Sequence, residues 1–112
     1  MRVFDGNQLY TNLNQIDFKN KIAKGVNSKG EDFEINFINL DYPIRIKSGD
    51  QNIYENDIVS YLNNNWKIVF DYTKGIFGVR KENKKKYKIY LGPGLKIVGN
   101  IYMKEFEEFK GM

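Results

Sequence analysis

The chain has 112 residues, a formal charge of +4 and neither cysteine nor histidine. That excludes a disulfide framework, a thiolate nucleophile, a Cys-based zinc site and the side chain that most often serves as a general base. A chain this short buries about two thirds of its unfolded surface, so it has room for one domain, or for two very small ones sharing a core.

The apolar residues lean toward Ile, Phe and Tyr, which fit a pleated, half-buried surface better than a helix, and a mostly β protein is expected. Asp5 and Gly6 break the first apolar run, and no stretch nears the roughly 18 apolar residues of a membrane span. These features, with the absence of cysteine, lead to the expectation of a soluble cytoplasmic protein with no membrane partner. A pI near 9.2 favours an anionic partner, although the codons of an AT-rich genome account equally for abundant Asn, Lys, Ile and Tyr.

In chain order, "RVFDGNQLY" places Asp5-Gly6 between apolar residues, the signature of a hairpin. "QIDFKNKIAK" (15–24) fits either a strand or a short helix and is read as a strand. In "EDFEINFINL", Phe33, Ile35 and Phe37 share one face and Glu34 and Asn36 the other, the period-two pattern of a strand with one wet side. "DYPIRIK" alternates Ile44 and Ile46 with Arg45 and Lys47, with Pro43 at the strand start. "SGDQN" reads as a loop, placing a boundary between an N-terminal β-rich segment (1–47) and a C-terminal unit (48–112).

The second half reads as five short strands, "DIVSYL", "WKIVFDY", "IFGVRK", "YKIYL" and "LKIVGNIYM". They are separated by the turn compositions "NNN", "TKG", "ENKK" and "GPG". Closure into a small barrel would remove the exposed edges of such a sheet. Trp66, Ile68, Phe70 and Tyr72 are expected to face inward, as are Tyr87, Ile89 and Leu91. Met103, Phe106 and Phe109 recur every third residue in "MKEFEEFK", as in a short amphipathic helix that must dock on the barrel to persist.

The stretch "IKSGDQNIYENDIVSY", followed by a strand pair and "KIVGNIYMKEFEEF", resembles the YopX family of small phage and prophage proteins. That family shows an Ile-Tyr-Glu-Gly-Asp-Ile-Val motif and a late Val-Ile-Gly-Asn-Ile-Tyr-Glu motif before an acidic C-terminus. Ile53, Tyr54, Glu55, Asp57, Ile58 and Val59 match the first, and Gly99, Asn100, Ile101 and Tyr102 match the second. "RVFDGNQLY" looks like the family's opening Arg-x-Trp-Asp step, with Phe4 as the aromatic, while residues 15–45 carry no match. Asn56 stands where the family has glycine, and Asn is the residue next best able to take a left-handed conformation. The resemblance implies a phage or prophage gene, a bacterial host cell and a C-terminal SH3-like barrel, and it implies little about activity.

Candidate sites follow from these readings. Glu55 and Asp57, with Tyr54 before them, are expected to shape the turn into the first barrel strand, the acids capping backbone N–H groups. Gly99 and Asn100 are expected at a bulge or turn. Asp50, Glu55 and Asp57 form the closest carboxylate cluster, but their spacing matches no catalytic or EF-hand pattern, so no catalytic residue, metal or cofactor is assigned. "LGPGLK" holds a proline where a phosphate loop needs free N–H groups.

The basic stretch "RKENKKKYK" (80–88) is the remaining feature. Arg80, Lys84, Lys85, Lys86 and Lys88 would project from one end of the barrel, with Tyr90 or Tyr61 for base stacking; a solubilising hairpin tip is the bland alternative. The functional expectation is a non-catalytic accessory protein that binds a host or phage protein, for instance as an inhibitor of a host defence protein. Direct nucleic-acid binding through the 80–88 hairpin is the alternative. The acidic Glu105, Glu107 and Glu108 are a second possible contact patch, and edge strands leave self-association open.

Overall fold

The computed structural model describes residues 1–71, 73–82 and 84–112. Those residues form thirteen strands and one short helix: β1 (Arg2–Phe4), β2 (Leu9–Tyr10), β3 (Leu13–Asp17), β4 (Ile22–Val26), β5 (Asp32–Asn36), β6 (Asn39–Asp41), β7 (Pro43–Ser48), β8 (Gln51–Tyr54), β9 (Asp57–Tyr61), β10 (Asn64–Asp71), β11 (Gly75–Glu82), β12 (Lys85–Tyr90), β13 (Lys96–Asn100) and a 3₁₀ helix, Lys104–Phe109. The fold is mainly β, as the Ile/Phe/Tyr composition requires. The strands divide into two compact units, Met1–Tyr42 and Pro43–Met112.

In the first unit, β2-β1-β6 and β3-β4-β5 are antiparallel three-stranded sheets. The Asp5-Gly6 hairpin forms with a four-residue loop, because the Asp5 carboxylate accepts the N–H groups of Asn7 and Gln8, each at 2.8 Å, and Gly6 takes φ of 105°. The stretch read as one strand over 15–24 is two strands around a turn. Asp17 caps Asn20 and Lys21 adopts φ of 55°, reversing the chain before Ile22. In β5, Phe33 and Ile35 are half-buried, Glu34 and Asn36 exposed, and Phe37 buried just after the strand, as the alternation requires. Val3, Ala23 and Phe37 form the core, with Tyr10, Leu13, Ile16, Ile35 and Leu40 packed on it. An Arg2–Asp41 ion pair at 2.8 Å is buried across the β1/β6 ladder; no local sequence pattern signals a pair 39 residues apart.

In the second unit, five antiparallel strands run in the order β12-β11-β10-β9-β13, and β7-β8 forms a separate hairpin. β7, assigned by sequence to the N-terminal segment, belongs here because only a two-residue turn, with Gly49 at φ of 60°, separates it from β8. The five strands are those anticipated, but among the described residues no ladder joins β12 to β13. Instead Ile44 of β7 and Ile53 of β8 pack with Val59, Trp66, Ile68 and Leu95 in one core, so the hairpin covers the open sheet with side chains rather than hydrogen bonds.

The β9–β10 turn falls on Leu62 and Asn63, so only the first of the three asparagines lies in it. Both residues have positive φ (51° and 63°), as a two-residue hairpin turn demands, which carries Asn64 and Asn65 into the strand. Trp66 and Ile68 point into the core, Phe70 is half-buried, and Tyr72 lies outside the described residues. Ile89 and Leu91 pack on the core, whereas Tyr87 is exposed.

The C-terminal helix is 3₁₀ rather than α, with hydrogen bonds such as Phe106 N–H to Met103 O at 3.0 Å. The recurrence of Met103, Phe106 and Phe109 every third residue is the 3₁₀ period. Phe109 docks with Ile58 and Ile101, and Phe106 and Met112 pack against them.

Candidate functional site

The two motifs that stand out in the sequence meet in space. β9 and β13 are antiparallel neighbours, with Asn100 opposite Asp57 and Gly99 opposite Ile58. The Ile101 N–H donates to Asn56 O at 2.9 Å, and the Asn56 N–H donates to Ile68 O at 3.0 Å, tying the turn to both β13 and β10. Asn56 sits at φ of 69°, the left-handed conformation that glycine would supply. Asp57 is buried, and its carboxylate accepts the Tyr54 N–H at 2.9 Å. Glu55 is half-buried in the same turn.

Gly99 lies where the β9/β13 register slips between Ile97 and Gly99, and Asn100 Oδ1 accepts the Tyr102 N–H at 3.0 Å. A Cβ on Gly99 would lie 2.3 Å from Phe106 Cε2 and 2.8 Å from Met103 Sδ. Tyr54, Asp57, Gly99 and Asn100 therefore build a junction where β13 joins β9 and the 3₁₀ helix is seated. Asp50 lies in the exposed β7–β8 turn while Asp57 is buried in its hydrogen bond, so the two acids do different jobs. Among the described residues no group of three or more acids is arranged to hold a metal ion.

The basic hairpin is arranged differently from a single cationic tip. The β11/β12 register sets Arg80 opposite Tyr87, Lys81 opposite Lys86, Val79 opposite Lys88, Phe77 opposite Tyr90, and Glu82 opposite Lys85. Side chains alternate across a strand, so Arg80 and Lys85 belong to one face, and Lys86 and Lys88 to the other. Arg80 is drawn into the protein: its guanidinium carbon lies 5.0 Å from the Trp66 ring centroid and 4.8 Å from that of Tyr87, and it is paired with Glu82. It therefore acts as a structural cation stacked between two aromatic rings. Tyr61 is also unavailable as a stacking platform, being half-buried against the core while its carbonyl accepts the Trp66 indole N–H at 2.9 Å.

What remains outside is the face carrying Lys81, Lys86, Lys88 and Tyr90. All four are exposed, Tyr90 at 72%. Lys88 Nζ rests 4.1 Å from the Phe77 ring centroid, and the Phe77 and Tyr90 rings lie 5.4 Å apart. Lys84, in the turn at φ of 66°, lines with Lys81 a small cleft of about 150 Å³ closed by Glu108, Phe109 and Met112. Lys81 lies within the basic stretch, but its place on this face follows only from the ladder register, which sets it opposite Lys86. Asp71, whose carboxyl is held below the ordinary aspartate range mainly by the Thr73 hydroxyl and N–H, with a smaller contribution from the charge of Lys88, is the acid electrostatically coupled to it.

Comparison with family models, curated proteins and solved structures returned no match to this chain.

Proposed function

We propose that this chain is a non-catalytic binding protein of the phage or prophage accessory type, acting in the bacterial cytoplasm by occupying a macromolecule. Inhibition of a host defence protein is its concrete form. The phage attribution rests on the YopX-like motifs at 53–59 and 99–102. Asp57 of the first motif has a structural role in the β9/β13 junction, which supports reading it as a turn residue. The observation that carries a binding role is the outer face of the β11–β12 hairpin. There Lys81 and Lys86 stand directly opposite each other. Like charges so placed destabilise a sheet, and an anionic partner relieves that repulsion.

The test is retention of bacterial-lysate components on the immobilised chain, compared with K84E/K85E/K86E. The reading expects the wild type to retain an anionic macromolecule that salt elutes, and the variant to lose it. Replacing Glu105, Glu107 and Glu108 by Gln should leave retention intact. Equal retention by the wild type and the charge-reversed hairpin would overturn the assignment of this surface.

A further inference from the structure

We infer that the outer face of the β11–β12 hairpin binds a single-stranded nucleic acid, with Lys81, Lys86 and Lys88 on its phosphates and Tyr90 stacked on a base; this rests on the hairpin being the contact surface. The first support is charge. Among the described residues, none of Lys81, Lys84, Lys85 and Lys86 has an acidic side chain at ion-pair distance, and the nearby Glu82 is engaged by Arg80. Lys81 and Lys86 thus take their counterions from solvent, with Lys88 also in the field of the Asp71 carboxylate, and phosphate binding gains from the release of such counterions.

The second support is spacing. Lys86, Lys88 and Tyr90 are alternate residues of one strand, so their side chains repeat at about 6.8 Å on the same face, twice the ~3.4 Å rise per phosphate of a stacked strand. A backbone running along β12 meets a cation at successive even steps and then an aromatic ring. The third support is the ring. Tyr90 is 72% exposed and is the only member of the row that is aromatic; Phe77 beneath it is 2% exposed and acts as its support at 5.4 Å. Stacking on one open ring face requires a base whose own face is free, which a paired duplex does not offer along its length. An acidic polypeptide would use the same lysines but would gain little from Tyr90.

The test is fluorescence anisotropy with labelled oligothymidylate and oligouridylate of about 12 nucleotides, within the ~4–16-nucleotide span of oligonucleotide-binding folds, in a salt series from about 50 to 200 mM. Binding of either oligonucleotide supports the inference, and their ratio separates DNA from RNA as the preferred strand. Lys86→Gln should weaken binding and make the log–log salt slope shallower by about 0.7, the value for one single-strand phosphate. Tyr90→Ala should weaken binding about fivefold or more with an unchanged slope, and Tyr90→Phe should restore it. Both positions are exposed, and an unchanged unfolding midpoint by Trp66 fluorescence verifies each variant. Duplex DNA bound as tightly as the single strand, or Tyr90→Ala without effect, would overturn the inference. Binding of polyglutamate but not of oligonucleotide would overturn it while leaving the hairpin as a contact surface, and binding of no polyanion would sink both.

Discussion

Gly99→Ala should destabilise the second unit by about 2 kcal/mol, and the reason is space. Gly99 has no positive φ, so its backbone would accept alanine; the obstacle is a methyl group 2.3 Å from Phe106 Cε2, 2.9 Å from Phe106 Cδ2 and 2.8 Å from Met103 Sδ. Carbon atoms sit comfortably at about 3.5–4.0 Å, so the Phe106 ring must retreat by more than ~1 Å. That ring packs on the cluster of Ile58, Ile101 and Phe109, with the Phe109 ring centroid 6.2 Å away, so its retreat loosens the 3₁₀ helix from the sheet. Overpacking of this kind costs about 1–3 kcal/mol, offset by up to ~1 kcal/mol because alanine loses less chain entropy than glycine. Trp66, the single tryptophan, lies in the core of the same unit and reports its unfolding in urea. With a slope of about 1–3 kcal/mol per molar, the midpoint should fall by roughly 1 M. In a Phe106→Ala background the ring is gone, and the same substitution should cost less than about 1 kcal/mol. An equal midpoint shift in both backgrounds would refute the steric argument.

Asn56→Gly should leave stability within about 0.5 kcal/mol, because either residue supplies φ of 69°, while Asn56→Ala should cost about 1–2 kcal/mol by the same urea assay. In the first unit, Asp41→Ala strands a buried guanidinium and should cost about 3–5 kcal/mol, read as faster amide exchange at Val3 and Leu40. Asp71 should titrate below the ordinary aspartate range by carboxyl NMR, and Thr73→Ala should raise its midpoint, since the Thr73 hydroxyl and N–H are the largest causes of the shift. A carboxyl whose folded pKa is lowered adds stability that is present above the unfolded aspartate pKa and disappears as pH falls through the folded value. The stability gap between wild type and Thr73→Ala should therefore be present at neutral pH and close in acid.

Local signals carried much of this fold. Asp5-Gly6, the Phe33-Ile35-Phe37 alternation, Pro43 at a strand start and the five strands after residue 56 were legible because each is encoded within a few residues by turn chemistry or by period two. The left-handed Asn56 and the turn roles of Asp57 and Gly99 were legible for the same reason. Where the reading went astray, one cause was a local turn whose hydrogen bonds composition does not announce, and the other was a neighbour distant in sequence. The 15–24 stretch looked continuous because Asp17 and Asn20 are ordinary strand-flanking polar residues until they hydrogen-bond to each other. Arg80 looked like one more surface cation until β10 brought Trp66 beneath it.

The basic hairpin shows the division most clearly. The sequence determined how many lysines it carries and that Tyr87 and Tyr90 fall at its end. It did not determine which of them share a face with those across the ladder, because a one-residue change of register exchanges the faces. Pairing Arg80 with Tyr87 put Arg80 under an aromatic clamp and set Lys81 against Lys86. That tertiary choice, made by the burial of Trp66 and Ile68 on the opposite side of the same sheet, separated the structural cation from the exposed ones.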